Sequence, residues 1–404
     1  MAVPLHPLHQ LLAEVVEGDG AELSLLRICL QGNMIEDREN VLEKIRRYLP
    51  LGDYIRLGPI CSSWSARARK RHYSLRHGLP YLVMQNPENI EMRFFNLSRQ
   101  VIGLASYPEV HGRYCCGSSQ GWLVTIDFNL EMHLFDPYSS SEIKLPPLPS
   151  PQEQHIEEVE QKNRERAQYS GLTEAQVRRD CSVYKVILST DPRTSSDYIV
   201  VAIFEWFKRL ALWKPGASTW VTVNSYYPYC RMVDMLWHKG VLYVITDMHL
   251  LFTLDVGPFP KLILINSYLN VIGNVFRELR YLVELEGELH LIFKEVWSQH
   301  NKTYSFTVFK FNSKNKELTG LKSIGDYALF LGGNHSIAVP SNDECQSDSI
   351  YFTDDCTESL HLCRKADLGI FNMKDETVQV FLSSEVYTPE PFPPLWLEAR
   401  PYPW

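Results

Sequence analysis

"CCGSSQGWLVTIDFNLEMHLFDP" (Cys115–Pro137) decides how this chain is read. It contains Gly117-Ser118-Ser119-Gln120-Gly121, the G-x-S-x-G string that carries the nucleophile of many serine hydrolases. A nucleophile elbow needs a strand, a sharp turn and then a helix, because the helix start supports the oxyanion hole. Here the string runs instead into "WLVTIDFNL", whose alternation of apolar and polar residues has the two-residue period of a strand. None of the 13 His sits in a recognisable catalytic motif. The pattern predicts a glycine-serine turn entering a β-strand, with Trp122 packed between sheets and Ser119 structural. The whole stretch reads as two short strands around a tight turn at Asn129.

The same form recurs toward the C-terminus. "YIVVAIF" with "RLALWKP", "GVLYVIT" with "HLLFTLDV", "GELHLIF" with "SFTVFKFN", and "DSIYFTDD" with "LGIFNMKDETVQVF" are hairpins. Their first strands start near Gly121, Tyr198, Gly240, Gly287 and Ser349, at intervals of 77, 42, 47 and 62 residues. A unit of roughly 40–50 residues, with inserts in the first and last gaps, is the signature of propeller blades. The expectation is mainly β: a propeller over 79–404 with about six blades, or seven; a pair of β-sandwiches is the alternative. A polar, mixed-charge stretch at 150–180 reads as an insertion between blades, partly helical or a solvated loop. The tail "PEPFPPLWLEARPYPW" is rich in proline. Its "PLWLEA" is expected to pack beside "LPYLVMQ" and close the ring.

The first 78 residues have the helical period instead. Leu8, Leu11, Leu12, Val15 and Val16 share one stripe, and "AELSLLRICL" is a second helix candidate ending at Gly32-Asn33. In "IEDRENVLEKIRRYLP", Val41, Leu42, Ile45, Tyr48 and Leu49 recur at helical spacing until Pro50 ends the run. Asp53 is placed to cap "YIRL", and Pro59 opens "PICSSWSARARK" at the first-turn position proline favours. This gives a helical extension at 1–32 and a three-helix unit at 33–78, for an α+β chain overall. The three-helix unit exposes apolar residues on more than one face, so it needs a partner.

The chain has 404 residues and a net charge of −8, which argues against nucleic acid as the main partner. Residues 1–78 carry 11 Lys+Arg against 9 Asp+Glu, so the acidic excess lies in the remainder. The basic run Arg67–His77 fits a solvated helix face, a nuclear localisation patch or a phosphate contact. No stretch reaches the ~18–20 apolar residues needed to cross a bilayer. The first residues lack the basic start and apolar core of a secretory signal. Nine Cys without a C-x-x-C pair fit a reducing compartment, cytoplasmic or nuclear. The sequons at Asn96, Asn301 and Asn334 are then chance matches. Cys356, His361 and Cys363 make a poor zinc set, and Cys115-Cys116 read as core residues. Gly332-Gly333 reads as a turn. No cofactor, metal or catalytic constellation is expected, and the chain is not expected to be an enzyme.

"VLEKIRRYLPLGDYIRLGPICSSWS" (Val41–Ser65) resembles the F-box, the helical motif that docks on a Skp-type adaptor of cullin ubiquitin ligases. "CCGSSQGWLVTIDFNLEMHLFDPYSSSEIKLPPL", "SIGDYALFLGGNHS", "IYFTDD" and "LGIFNMKDETVQVF…PPLWL" resemble the KIB-like, kelch-type domain that follows many plant F-boxes. The resemblance runs from about Val41 to the end and implies a kelch-like propeller in which the glycine-serine string belongs to the fold. It also implies an adaptor-binding surface of Val41, Leu42, Ile45, Leu49, Pro50, Ile55, Leu57, Ile60, Cys61 and Trp64. The partners implied are a Skp-type adaptor, through it a cullin, and a target protein held by the propeller. F-boxes usually open on Leu-Pro and an acidic residue. Here Asp37-Arg38 and Asn40 stand in those places, and Arg46 replaces an apolar residue. Each buried Leu, Ile or Trp contributes ~1.5–3 kcal/mol at an interface, so these changes bear directly on adaptor affinity. A scaffold or inhibitor whose F-box no longer recruits a ligase is the alternative. Trp206, Tyr226, Tyr227, Tyr229, Trp237 and Trp297 fall near predicted strand ends; for most of them packing between blades is the expected role, and contact with a target is the alternative.

Overall fold

The computed structural model describes residues 79–85, 91–97, 101–150, 155–223, 230–266, 278–297, 302–342, 344–353, 367–380, 382 and 393–399. The helical extension and F-box-like unit predicted within residues 1–78 lie outside these. The described strands form six sheets, the blades of a propeller.

Blade 2 shows how the sequence makes each unit. It contains β4 (Tyr114–Ser119), β5 (Trp122–Ile126), β6 (Met132–Asp136) and β7 (Ser141–Lys144), paired in that order. Gln120 and Gly121, with φ of 54° and 71°, join β4 to β5. Two successive positive-φ residues make the two-residue turn whose twist matches antiparallel strands, which explains the glycine before the strand. Lys239-Gly240 and Glu286-Gly287 repeat this device in blades 4 and 5. The predicted turn at Asn129 is a loop over Asp127–Leu130, in which the Asp127 carboxylate accepts from the Asn129 and Glu131 N–H groups.

Blade 3 is β8 (Val183–Leu188), β9 (Val200–Phe204), β10 (Arg209–Trp213) and β11 (Val221–Val223). Blade 4 is β12 (Met232–His238), β13 (Val241–Thr246), β14 (Leu251–Asp255) and β15 (Lys261–Asn266). Blade 5 is β16 (Glu278–Leu285), β17 (Glu288–Trp297), β18 (Lys302–Asn312) and β19 (Glu317–Leu321). Blade 6 departs from the simple repeat. Its order is β21 (Ile337–Pro340), β20 (Tyr327–Leu331), β22 (Ser349–Phe352), β23 (Gly369–Asn372) and β24 (Thr377–Gln379), with β20 and β22 parallel. The extra strand falls within the long last interval.

Blade 1 joins the two ends of the domain. β1 (Tyr81–Gln85), β2 (Glu91–Asn96) and β3 (Val101–Ser106) come from its start, and β25 (Leu395–Leu397) from its end. Trp396 pairs with Leu82 across this seam, the closure expected from the tail.

Six apolar clusters fill the domain, one at each boundary between neighbouring blades. Every strand points alternate side chains to opposite neighbours, so Val124 and Ile126 face blade 3 while Leu123 faces blade 1. Between blades 2 and 3 the charged insertion forms two helices, α1 (Ile156–Ser170) and α2 (Glu174–Asp180). Thr173 and Gln176 close a reciprocal capping box at the start of α2. Gly171 in the left-handed region ends α1. Among the described residues no helix is long and apolar enough to cross a membrane.

Candidate functional site

Gly117-Ser118-Ser119 lie inside β4, and the turn itself is Gln120-Gly121, so the string forms strand–turn–strand rather than an elbow. Both serines are buried. Ser119 Oγ accepts from the Leu188 N–H of blade 3 at 3.0 Å. Ser118 Oγ donates to the Trp396 carbonyl of the closing strand. The two hydroxyls tie blade 2 to its neighbours on either side. Trp122 packs between blades 2 and 3, as its place in the sequence predicts, and its Nε1 donates to Asp191 at 2.9 Å.

The other boundaries carry the same kind of polar tie. Gln85 of blade 1 accepts from the Cys115 N–H at 2.6 Å and donates to the Arg113 carbonyl at 2.8 Å. Asp234 of blade 4 pairs with Lys185 of blade 3 and accepts from the Leu282 N–H of blade 5 at 2.7 Å. Burial pushes its carboxyl above the usual range, and Lys185 with the Leu282 and Met235 N–H groups pulls it back. Lys294 of blade 5 lies 3.3 Å from Asp367, which also accepts from Thr303. Asn334 of blade 6 accepts from the Trp396 N–H at 3.1 Å.

The thiols fit the same structural reading. Burial pushes Cys115 up to about 12 and Cys181 to about 11, and raises Cys116 well above its ordinary value. Among the described residues no group of three His, Cys, Asp or Glu gathers as metal ligands. Cys356, His361 and Cys363 lie outside them.

Several large side chains stand exposed at one end of the blades. The second-to-third-strand turns and the links between blades share that end. In blade 2, for instance, Tyr114 pairs with Ile126, Ile126 with Met132, and the Leu145 N–H donates to Met132. α1 and α2 sit in such a link and pack on two of the turns. Trp206 donates to Asn163 at 2.8 Å and lies under Arg166, and Lys162 lies over Phe207. Arg179 lies over Phe128. Phe128, Tyr169, Met248 and Trp297 remain exposed at this end. Trp297 is 58 % exposed and rests on Tyr304, with ring centroids 4.5 Å apart. Tyr304 is the extra residue of a bulge between β17 and β18, a device that re-aims a side chain. Aromatic residues, Met and Arg are the types enriched where proteins bind one another.

The adaptor-facing residues expected from sequence, Val41, Leu42, Ile45, Leu49, Pro50, Ile55, Leu57, Ile60, Cys61 and Trp64, lie outside the described residues. Tyr226, Tyr227 and Tyr229 do too. Trp237 is half-buried between blades 3 and 4, as expected of packing. Trp206 is a platform for α1 and Trp297 is exposed; neither fills a boundary between blades. Sequence reasoning passes over Phe128, Tyr169 and Met248, for which exposure in a turn or helix is the needed signal.

Six sheets closed by β25 define a six-bladed β-propeller of mainly β structure. The KIB1-4 beta-propeller family model matches residues 94–372, well over half of the chain, and the chain belongs to that family. Its relatives include F-box proteins of Arabidopsis thaliana. One is 22 % identical over 85 % of this chain and 88 % of its own length. F-box protein SKIP23 is 22 % identical over 85 % and 89 %, and F-box protein KIB3 is 28 % identical over 62 % and 53 %.

Proposed function

We propose that this chain is a substrate-recognition subunit of a Skp–cullin–F-box ubiquitin ligase. Residues 41–64 would hold the Skp-type adaptor, and the propeller would hold a target protein. The chain would supply proximity, bringing a target lysine near a charged conjugating enzyme. One observation carries this reading. The match to F-box proteins spans 85 % of the chain, more than residues 79–404 alone contain, so it reaches into the N-terminal region.

The topology supports a division of labour. Tyr81 starts β1 at the end where it pairs with Leu397, whereas Gln85 pairs with Met92 at the turn end. Leu79 and Pro80 therefore lead into β1 at the end of blade 1 remote from its β1–β2 turn. α1, α2, Phe128, Met248 and Trp297 belong to the turn end, and on this reading that end would meet the target.

Calorimetry of the full chain with a panel of Skp-type adaptors tests the proposal. Saturable binding, abolished in a Leu49→Asp, Trp64→Ala double variant that keeps the wild-type circular dichroism, is the expected result. No binding by the folded chain overturns it and favours the scaffold reading, which rests on Asp37-Arg38, Asn40 and Arg46.

A further inference from the structure

A surface helix normally buries an apolar stripe against the body beneath it. α1 does not. Of its 15 residues only Asn163 is buried, while Ile156 is 40 % and Tyr169 78 % exposed. The helix is supported from within. Lys162 pairs with Glu158 at 2.8 Å, Gln161 donates to Glu165 at 2.7 Å and Arg164 lies 3.7 Å from Glu160, each pair four residues apart. What α1 lays on the propeller is polar. Asn163 accepts from Trp206 and Arg166 stands 5.4 Å from the Trp206 ring. Lys162 stands 4.7 Å and the His155 ring 4.3 Å from the Phe207 ring.

The elements around α1 are held more firmly. α2 buries Val177, Arg179 and Asp180 and starts on its capping box. Trp206 and Phe207 stand on the β9–β10 turn, which Arg209 braces by donating to Glu205 at 2.9 and 2.6 Å. Gly171 joins the two helices at φ 73°, and a Cβ there would meet nothing within 4 Å. The joint has room to turn, in a residue that tolerates many backbone angles.

Each exposed cation–π contact or neutral hydrogen bond shifts an equilibrium by only roughly 2- to 10-fold. A few of them together hold α1 by roughly 100-fold, whereas core strands open only with the whole fold. Release is also cheap in another respect, since α1 has no apolar stripe to expose to water. We propose that α1 is a displaceable strap over Trp206 and Phe207, which swings about Gly171 while α2 and the β9–β10 turn stay in place. Closed, it shields the two rings; released, it leaves them open at the turn end of the blades. The strap governs access to this aromatic pair. The proposal is independent of the ligase reading.

Hydrogen exchange of the full chain, read by peptide mass, tests it without a variant. A free helix of this length is marginal in water, so each release lets its amides exchange. Amides of α1 should exchange at least roughly 100-fold faster than those of β9, with α2 remaining slow. Asn163→Ala then separates docking from helix strength. Alanine is the better helix former but cannot accept from Trp206. Exchange of α1 should therefore rise by roughly 3- to 10-fold, and hydroxyl-radical oxidation of Trp206 should rise with it, while β9 is unchanged. Amides of α1 as slow as those of β9, α2 as fast as α1, slower α1 exchange in Asn163→Ala, or Trp206 oxidation unmoved in that variant each overturns the proposal.

Discussion

Replacing Asp234 should destabilise the propeller more than replacing a surface carboxylate, through the lysine left behind. Asp234 is fully buried on β12, and Lys185 on β8 is 4 % exposed. Asp234 also accepts from the Met235 N–H at 2.8 Å and the Leu282 N–H at 2.7 Å. Removing one partner of a buried ion pair costs about 3–5 kcal/mol, because an uncompensated charge remains. An orphaned buried N–H adds about 1–3 kcal/mol, though the two losses overlap. Asp234→Ala is therefore expected to lose about 4 kcal/mol. With a urea m-value near 3 kcal/mol/M, the unfolding midpoint read by tryptophan fluorescence falls by roughly 1 M. Lys185→Met with Asp234→Asn removes both charges and keeps an acceptor for Leu282, so it should recover to within about 1–2 kcal/mol of wild type. In a cycle built on Asp234→Asn and Lys185→Met, the double variant should be less destabilised than the sum of its two single variants. An Asp234→Ala midpoint within about 0.3 M of wild type, or additive single effects, refutes the reasoning.

Three further outcomes are expected of the same structure. Ser119→Ala leaves the buried Leu188 N–H without its acceptor and should cost about 1–3 kcal/mol in urea unfolding; the folded wild type should not label with a fluorophosphonate, and labelling lost in Ser119→Ala would instead restore the hydrolase reading. Among the described cysteines, iodoacetamide at pH 8 should modify Cys230, which is partly exposed, well before the buried Cys115, Cys116, Cys181 and Cys345, as peptide mass mapping would show. Burial holds His290 below its ordinary value, so the unfolded chain binds the extra proton first and stability falls as pH drops below about 6.5; His290→Gln should flatten the loss between pH 7 and 5.5, and an unchanged slope would show that His290 does not contribute.

The hairpins are legible in the sequence because each joins strands of distinct pattern across a turn residue with positive φ. β13 and β14 appear as "LYVIT" and "LLFTLD" around His249, and they pair as read. The innermost strands are harder. "YCCGSS" and "MVDMLWH" are buried on both faces and show no alternation, so the sequence suggests a turn before a strand where β4 stands. Nothing in the periodicity could give the parallel pairing of β20 and β22, because period reports which side is buried and not which strand lies alongside. The helices of the insertion have a readable start in Thr173-x-x-Gln176, hidden within a run of mixed charge. The exposed aromatic residues are illegible as such, since a tryptophan between blades and one on the surface look alike in sequence.

The polar residues within innermost strands have their own physical cause, since Ser118, Ser119, Lys185 and Asp234 interrupt otherwise apolar runs. Apolar contact between blades is non-directional, so it draws neighbouring sheets together without fixing how far one slides along the other. A hydrogen bond from a side chain to a neighbour's backbone does fix that height, and a buried donor without its partner is costly enough to enforce it. Ser119 sets blade 3 against blade 2 through Leu188, Asp234 sets blade 5 against blade 4 through Leu282, and Ser118 and Asn334 hold Trp396 from both sides where the ring closes. A ring needs every such offset to be consistent, because errors accumulate until the last strand no longer meets the first. The string that looks like a hydrolase motif thus belongs to closure through its two serines, which carry the ties to both neighbours, and not through Gly117, where an added Cβ would make only an ordinary contact, 3.9 Å from the Val186 nitrogen.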